Sequence, residues 1–328
     1  MITKSVMAML IGFILALIVA IILIPLLKKI HAGQNISIYL RKAHKNKQGT
    51  PTMGGLIFIT PTFLTIIILF CLNKIHFSYT LLIILFTLFS YTLIGFIDDY
   101  LIIKRHNNKG LSQTAKLALQ TLVAIIFFYL FMKGGNEPLL WVHSLNFKLD
   151  IGFFYGLFIL FVLVAVSNAV NLTDGLDGLA GGLSFICFVT FGIIAWNTGW
   201  LDGYEDIAVL AFVIAGALLG FLMFNVNPAK VFMGDTGSLA LGGTLAAVSI
   251  VSSHELTLII VAGVFVVETL VCIIQRVSVR FTGKRIFLMT PLHHHFEKLG
   301  WHELDIVKTF WFFGIVLAAI AILWGVWI

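Results

Sequence analysis

Ten apolar stretches follow one another along this chain, near 5–27, 55–72, 79–97, 115–132, 151–170, 178–196, 206–224, 237–252, 256–275 and 307–327. Each approaches the roughly 20 residues a helix needs to cross about 30 Å of hydrocarbon. A soluble domain clothes its surface with about 25% charged residues; here only 11% of 328 residues are charged and 60% are hydrophobic. The expectation is an all-α polytopic integral membrane protein of about ten transmembrane helices, one transmembrane domain over 1–328. The first run is too long for the apolar region of a signal peptide and ends on the stop-transfer-like segment Ile24-Pro25-Leu26-Leu27-Lys28-Lys29, so it counts as a helix. Cys71, Cys187 and Cys272 lie in apolar runs without a CxxC pair, which supports neither a disulfide framework nor a thiolate metal site.

A formal charge of +6 invites a nucleic-acid partner, but the positions of the cations argue otherwise. Alternating the loops across the bilayer puts Lys28, Lys29, Arg41, Lys42, Lys45, Lys47, Lys104, Arg105, Lys109, Lys116, Lys230 and the Arg276, Arg280, Lys284, Arg285, Lys298 group on one side. Only Lys4, Lys74, Lys133 and Lys148 fall on the other, with Lys308 at the boundary. Cytoplasmic loops collect Lys and Arg. The basic side is therefore read as cytoplasmic, both termini as extracytoplasmic, and the bilayer rather than nucleic acid as the partner.

The few acids carry the chemistry. Of fifteen Asp and Glu, five fall in three polar patches at cytoplasmic helix ends: Asp98 and Asp99 in Gly95-Phe-Ile-Asp-Asp99, Asp174 and Asp177 in 168–178, and Asp235 in 225–238. A carboxylate this near lipid is costly unless it faces a wet cavity, a cation or a partner. Any one patch reads equally well as an interfacial helix end, with Asp174 or Asp235 capping the helix that follows. Three on one membrane face point to a shared site. Clustered carboxylates beside Lys-rich loops suit a magnesium-bridged diphosphate, since Mg2+ prefers hard oxygen ligands and ammonium groups offset phosphate charge.

The segment 290–297 holds three consecutive histidines, His293, His294 and His295. Consecutive side chains diverge and no Cys lies nearby, so phosphate contact is favoured over a zinc site, with a structural loop as the alternative. Gly49, Gly54 and Gly55 follow Lys47 in a turn able to present backbone N–H groups to an anion. Glu268, inside the ninth apolar run, is read as interhelical or supporting and is given no chemistry.

Together, 49–55, 95–100, 168–178, 227–239 and 291–297 resemble, in order, the motifs of the phospho-N-acetylmuramoyl-pentapeptide transferases, within the wider polyprenyl-phosphate N-acetylhexosamine-1-phosphate transferases. The Thr-Pro-Thr-Met-Gly-Gly and His-His-His-Phe-Glu elements favour the muramoyl branch over the GlcNAc-1-phosphate branch. The resemblance implies transfer of phospho-MurNAc-pentapeptide from UDP-MurNAc-pentapeptide to undecaprenyl phosphate, giving lipid I and UMP, with Mg2+ required, in a bacterial cytoplasmic membrane and as a homodimer. It implies catalytic roles for Asp98, Asp99 and Asp235, with Asp235 the magnesium ligand, and substrate handling by His293, His294 and His295. Asn171, Asp174, Gly175, Leu176 and Asp177 match its nucleoside-contacting stretch, and Lys47, Thr52, Asn225, Phe232 and Gln275 its substrate contacts. Many relatives carry a lysine soon after the Asp-Asp pair, whereas Leu101, Ile102 and Ile103 precede Lys104 here, so the resemblance leaves open which lysine meets the lipid phosphate, with Lys116 the candidate carried over. Two chemistries fit these residues: attack by Asp235 on the diphosphate, or deprotonation of the lipid phosphate by Asp98. A secondary transporter, the rival class, would place its acids near the membrane midplane.

Overall fold

The computed structural model describes residues 2–30, 47, 49–105, 110–142, 147–196 and 203–324. The cations at Arg41, Lys42, Lys45 and Lys109, and the last residues of the tenth apolar run, lie outside them. Helix follows helix: α1 (Ile2–Lys29), α2 (Leu56–Cys71), α3 (Tyr79–Arg105), α4 (Gln113–Lys133), α5 (Phe154–Thr173), α6 (Leu179–Trp196), α7 (Tyr204–Asn225), α8 (Gly234–Val251), α9 (Glu255–Val261), α10 (Gly263–Thr282), α11 (Leu292–Lys298) and α12 (Glu303–Ile322). The expected apolar runs all become helices, with two differences. Among the described residues eight helices are long and apolar enough to cross a membrane, or nine if the bent pair α9–α10 is one span, and α2 has only 16 residues, about 24 Å of helix. The ninth run breaks at Ala262, where α9 and α10 meet at 81°. A continuous apolar run carries no sign of such a bend.

Helices α7 and α8 form the centre, buried along nearly their whole lengths. Around them, α1 and α6 pack on α7, while α3 and α5 pack on α8. Small residues bring the backbones together. A Cβ at Gly216 of α7 would lie 2.0 Å from the Met9 carbonyl oxygen of α1, an approach only glycine permits. The outward face of α1 shows Met7, Leu10, Ile14, Ile18 and Ile21, uncharged and exposed, as a lipid-facing surface should be.

The two ends of the bundle differ. At one end, between α4 and α5, strands β1 (Leu139–Val142) and β2 (Phe147–Asp150) form an antiparallel hairpin, with Leu139 opposite Asp150 and Val142 opposite Phe147. Asp206 of α7 accepts the His76 N–H there, and Tyr155 donates to Glu255. At the other end lie the C-termini of α3, α5 and α7 and the N-termini of α4 and α8, and with them the acids singled out above.

Candidate functional site

The acids face inward because of the helix period. On α3 the buried residues Ile84, Leu88, Tyr91, Ile94 and Gly95 form a stripe that continues into Asp98 and Asp99, both buried. Gly95 lets this stripe touch the start of α8, since a Cβ there would meet the Asp235 carbonyl oxygen at 2.1 Å. Asp99 turns its carboxylate onto the N-terminus of α8. It accepts the N–H of Asp235 (3.2 Å) and of Thr236 (2.9 Å) and the Thr236 hydroxyl (2.6 Å). These are orphan donors of a helix start, and a carboxylate there also meets the positive end of the helix dipole. Asp99 therefore caps α8 from another helix, and Asp235 sits inside the first turn rather than serving as its cap.

Asp98 and Asp235 are joined by a cation. Lys116 Nζ lies 2.5 Å from Asp235 Oδ2 and 3.2 Å from Asp98 Oδ1. Ser112 caps α4 by accepting the Ala115 N–H, which puts Lys116 in the opening turn. A lysine is unfavourable at the positive end of a helix, so its location answers to the acids and not to the helix. Asn171 of α5 donates to Asp235 Oδ1 at 2.8 Å and to Ser238 Oγ at 2.9 Å. Both Asp235 oxygens are thus engaged. Asp98 Oδ1 also accepts the Leu111 N–H at 2.6 Å.

Asp174 and Asp177 occupy the turn after α5 and not a helix, so they share no helical face. Asp174, at the C-cap, is pushed up to about 8, chiefly by burial and then by the charges of Asp235, Asp99 and Asp177, with Lys47 opposing. Asp177 is tied down on every side. Lys47 Nζ is 2.7 Å from its Oδ1, and its Oδ2 accepts from Asn227 (3.1 Å) and the Ala229 N–H (3.0 Å). Glu303, at the start of α12, completes this knot: it takes Lys47 at 2.5 Å, the Asp177 N–H at 2.8 Å and Asn227 at 3.2 Å. Nothing in the sequence marked Glu303, whose partners lie 76 to 256 residues away.

The loop 226–233 lies along 51–55: Phe232 N–H donates to the Pro51 carbonyl and its own carbonyl accepts from Gly54, both at 2.8 Å. The backbone is pinned while the Phe232 ring stays half-buried. Asn225 is a brace, donating to the Val231 carbonyl (2.9 Å) and accepting the Gly178 N–H (3.1 Å). Thr52 is buried against Gly234, beside Asp99, and Leu176 is buried too.

The histidines separate, as consecutive residues do, but on the short helix α11 rather than in a loop. His293 is fully buried, its Nδ1 2.9 Å from Glu268 Oε1; Glu268 also accepts the Leu292 and His293 N–H groups. His293 Nε2 has no partner and points at Gly175, where a Cβ would come within 2.3 Å. Glu268 thus aims His293 at the Asp174 turn, a role that its place in an apolar run did not reveal. His294 pairs with Glu297 and His295 accepts the Leu288 N–H. Gln275 is held away from the acids, its amide clasping the backbone of Ile286 and Phe287 at 3.0 Å.

Among the described residues no three His, Cys, Asp or Glu side chains converge on a metal cage. Mg2+ seldom uses one; it takes one or two carboxylates and completes its shell with water and substrate phosphates. Among the described residues, Lys47 and Lys116 are the cations paired with Asp98, Asp177, Asp235 and Glu303 in this cluster. Asp98 and Asp235, bridged here by the Lys116 ammonium, supply the hard carboxylate oxygens that Mg2+ prefers, and the donor set fits that ion.

The profile of glycosyl transferase family 4 matches 81–253, a span that holds Asp98, Asp99, Asp174, Asp177 and Asp235. The phospho-N-acetylmuramoyl-pentapeptide-transferase signature 1 matches 47–59, with Lys47 and Thr52. The chain is 43% identical over 322 residues to a phospho-N-acetylmuramoyl-pentapeptide-transferase of Oceanobacillus iheyensis, covering 98% of this chain and 97% of that protein. It is 44% identical over 320 residues to the same-named protein of Shouchella clausii, covering 98% and 97%. For that of Bacillus velezensis the identity is 43% over 317 residues, 97% and 96% of the two chains.

Proposed function

This chain belongs to the phospho-N-acetylmuramoyl-pentapeptide transferase family, and from that premise we propose that it transfers phospho-MurNAc-pentapeptide from UDP-MurNAc-pentapeptide to undecaprenyl phosphate. The products are lipid I and UMP, made for peptidoglycan at the cytoplasmic face of a bacterial cytoplasmic membrane. The observation that carries this reading is the convergence of Asp98, Lys116, Asn171 and Asp235 from α3, α4, α5 and α8 at one end of an apolar bundle. A soluble nucleotide and a lipid phosphate can meet only at such an end.

In the reaction, an oxygen of the lipid phosphate bonds to the phosphorus that carries the sugar. The bond from that phosphorus to the bridging oxygen breaks, and its electron pair leaves with UMP. Lys116 donates to the phosphate oxygens and offsets charge that moves during transfer. Asp98, with Oδ1 held by Leu111 and Lys116, keeps Oδ2 to accept the proton of the lipid phosphate. Asp235, oriented by Lys116 and Asn171, serves as an oxygen ligand, and the lipid phosphate is the nucleophile. Mg2+, held by Asp235 and substrate phosphate, would supply charge compensation to the diphosphate. Asp177, Lys47 and Glu303 fix the nucleoside turn, and Phe232 offers its ring to uracil. His293, held by Glu268, presents Nε2 beside Gly175 for a hydrogen bond to substrate.

The test offers UDP-MurNAc-pentapeptide and UDP-GlcNAc separately, each with undecaprenyl phosphate and Mg2+, to the purified protein. UMP released from the first alone supports the reading. UMP from UDP-GlcNAc alone assigns the chain to the GlcNAc-1-phosphate branch instead.

A further inference from the structure

A cavity of about 1030 Å³ opens beside the acid site, between α10, the loop 283–291 and Leu172 at the end of α5. Leu172 follows Asn171, which holds Asp235, in sequence, and Pro291 of the lining lies two residues before His293. Arg276, Arg280, Arg285 and Lys298 all line it. Among the described residues none of these four is ion-paired; the nearby acids are engaged elsewhere, Glu268 by His293 and Glu297 by His294. The wall is shaped: Gln275 clasps Ile286 and Phe287, Ser278 donates to the Lys284 carbonyl at 2.9 Å, and Leu288 donates to His295.

The inward bias of basic residues explains cations at this membrane face. It does not place four of them, all exposed, around one concavity, where their fields add to attract an anion. That arrangement asks for an anion. The diphosphate belongs with Lys116 and Asp235. The remaining anionic groups of the nucleotide substrate are the carboxylates of its peptide, of which the free C-terminus is one. Arginine forks match carboxylates in pairs of hydrogen bonds, and Ile273, Leu288 and Met289 between the cations suit aliphatic peptide side chains. The volume lies just above the range for small-molecule sites, about 300–1,000 Å³, as a bulky peptide-bearing nucleotide requires.

We propose that this cationic cavity is the subsite for the peptide of the nucleotide substrate, with Arg276, Arg280 and Arg285 reading its carboxylates. The proposal rests on the transferase reading above. It is tested by the kinetics of wild type, Arg276→Gln, Arg280→Gln and Arg285→Gln with UDP-MurNAc-pentapeptide and with UDP-MurNAc lacking the peptide. Where the peptide-free nucleotide is not turned over, it is measured as a competitive inhibitor. Each variant should raise KM for the pentapeptide substrate roughly tenfold, the loss of one charge-assisted pair. KM or Ki for the peptide-free nucleotide and KM for undecaprenyl phosphate should stay within twofold of wild type. Equal weakening of both nucleotides, weakening of undecaprenyl phosphate instead, or no change in a variant of unaltered melting temperature would each overturn the proposal. Wild-type protein that releases no UMP from UDP-MurNAc-pentapeptide overturns the transferase reading itself, a result distinct from all of these.

Discussion

Asp98 and Asp99 are neighbours in sequence yet hold different posts, and replacing each with Asn separates them. Asp99 accepts three hydrogen bonds at the buried start of α8. Asn keeps the shape but turns an NH2 toward N–H donors and removes the charge from the helix dipole. Hydrogen bonds to a charged group contribute about 1.5–3 kcal/mol each. At least one is lost outright and a buried donor is left without an acceptor, so Asp99→Asn should cost about 2–4 kcal/mol. Asp98 accepts from Leu111 and Lys116, and Lys116 retains Asp235 when Asp98 is neutralised. Asp98→Asn keeps an oxygen for the Leu111 N–H and should therefore cost less than Asp99→Asn, about 1–2 kcal/mol, while lowering turnover on the order of 10²–10⁴-fold, the range for losing a general base. The assay is thermal inactivation of both variants in detergent, alongside UMP release measured well below the melting temperature. Asp99→Asn should melt several degrees lower than Asp98→Asn, with activity lost as Asp235 shifts. Equal melting temperatures with equal loss of turnover would place Asp99 on the reacting atoms and refute the cap.

Three further outcomes follow from the geometry. Asp174, raised to about 8 in the ligand-free fold, ionises near 3.9 when unfolded; between these values the unfolded chain binds fewer protons, so stability falls as pH rises. Asp174→Asn should thus stabilise the ligand-free protein more at pH 8 than at pH 4 while weakening substrate binding; an equal gain at both pH values would contradict this. Phe232→Ala should raise KM for the UDP-sugar with kcat within a few-fold, a stacking loss of about 1 kcal/mol; a fall in kcat at unchanged KM in a stably folded variant would refute the uracil contact. Cysteine labelling from outside the cell should reach a probe at 139–142 and miss one at 110–112; the reverse would invert the membrane orientation.

What the sequence disclosed and what it hid have physical causes. Apolar runs report a bilayer directly, and acids at their ends are so costly that Asp98, Asp174, Asp177 and Asp235 stand out from the residue pattern alone. Glu268 gives the same signal, a carboxylate inside an apolar run, but its meaning needs His293, which reaches it only because the segment after α10 folds α11 back onto that helix. Glu303 is invisible because it opens a helix as any first-turn acid does; only the fold brings it to Lys47. The division of labour between Asp98 and Asp99 is equally hidden, since the helix period assigns both to the buried stripe and the pairing with Thr236 is tertiary.

Direct transfer between two bound substrates at the Asp98–Lys116–Asp235 cluster is open to a single decisive experiment. Stoichiometric enzyme is mixed with UDP-MurNAc-pentapeptide and Mg2+, with and without undecaprenyl phosphate, and UMP and the protein mass are followed by rapid quench. Direct transfer requires no UMP and no change in protein mass without the lipid, and UMP in equal amount to lipid-linked product with it. A burst of UMP in the absence of lipid, matched by a protein heavier by phospho-MurNAc-pentapeptide, would show a covalent intermediate and rule direct transfer out.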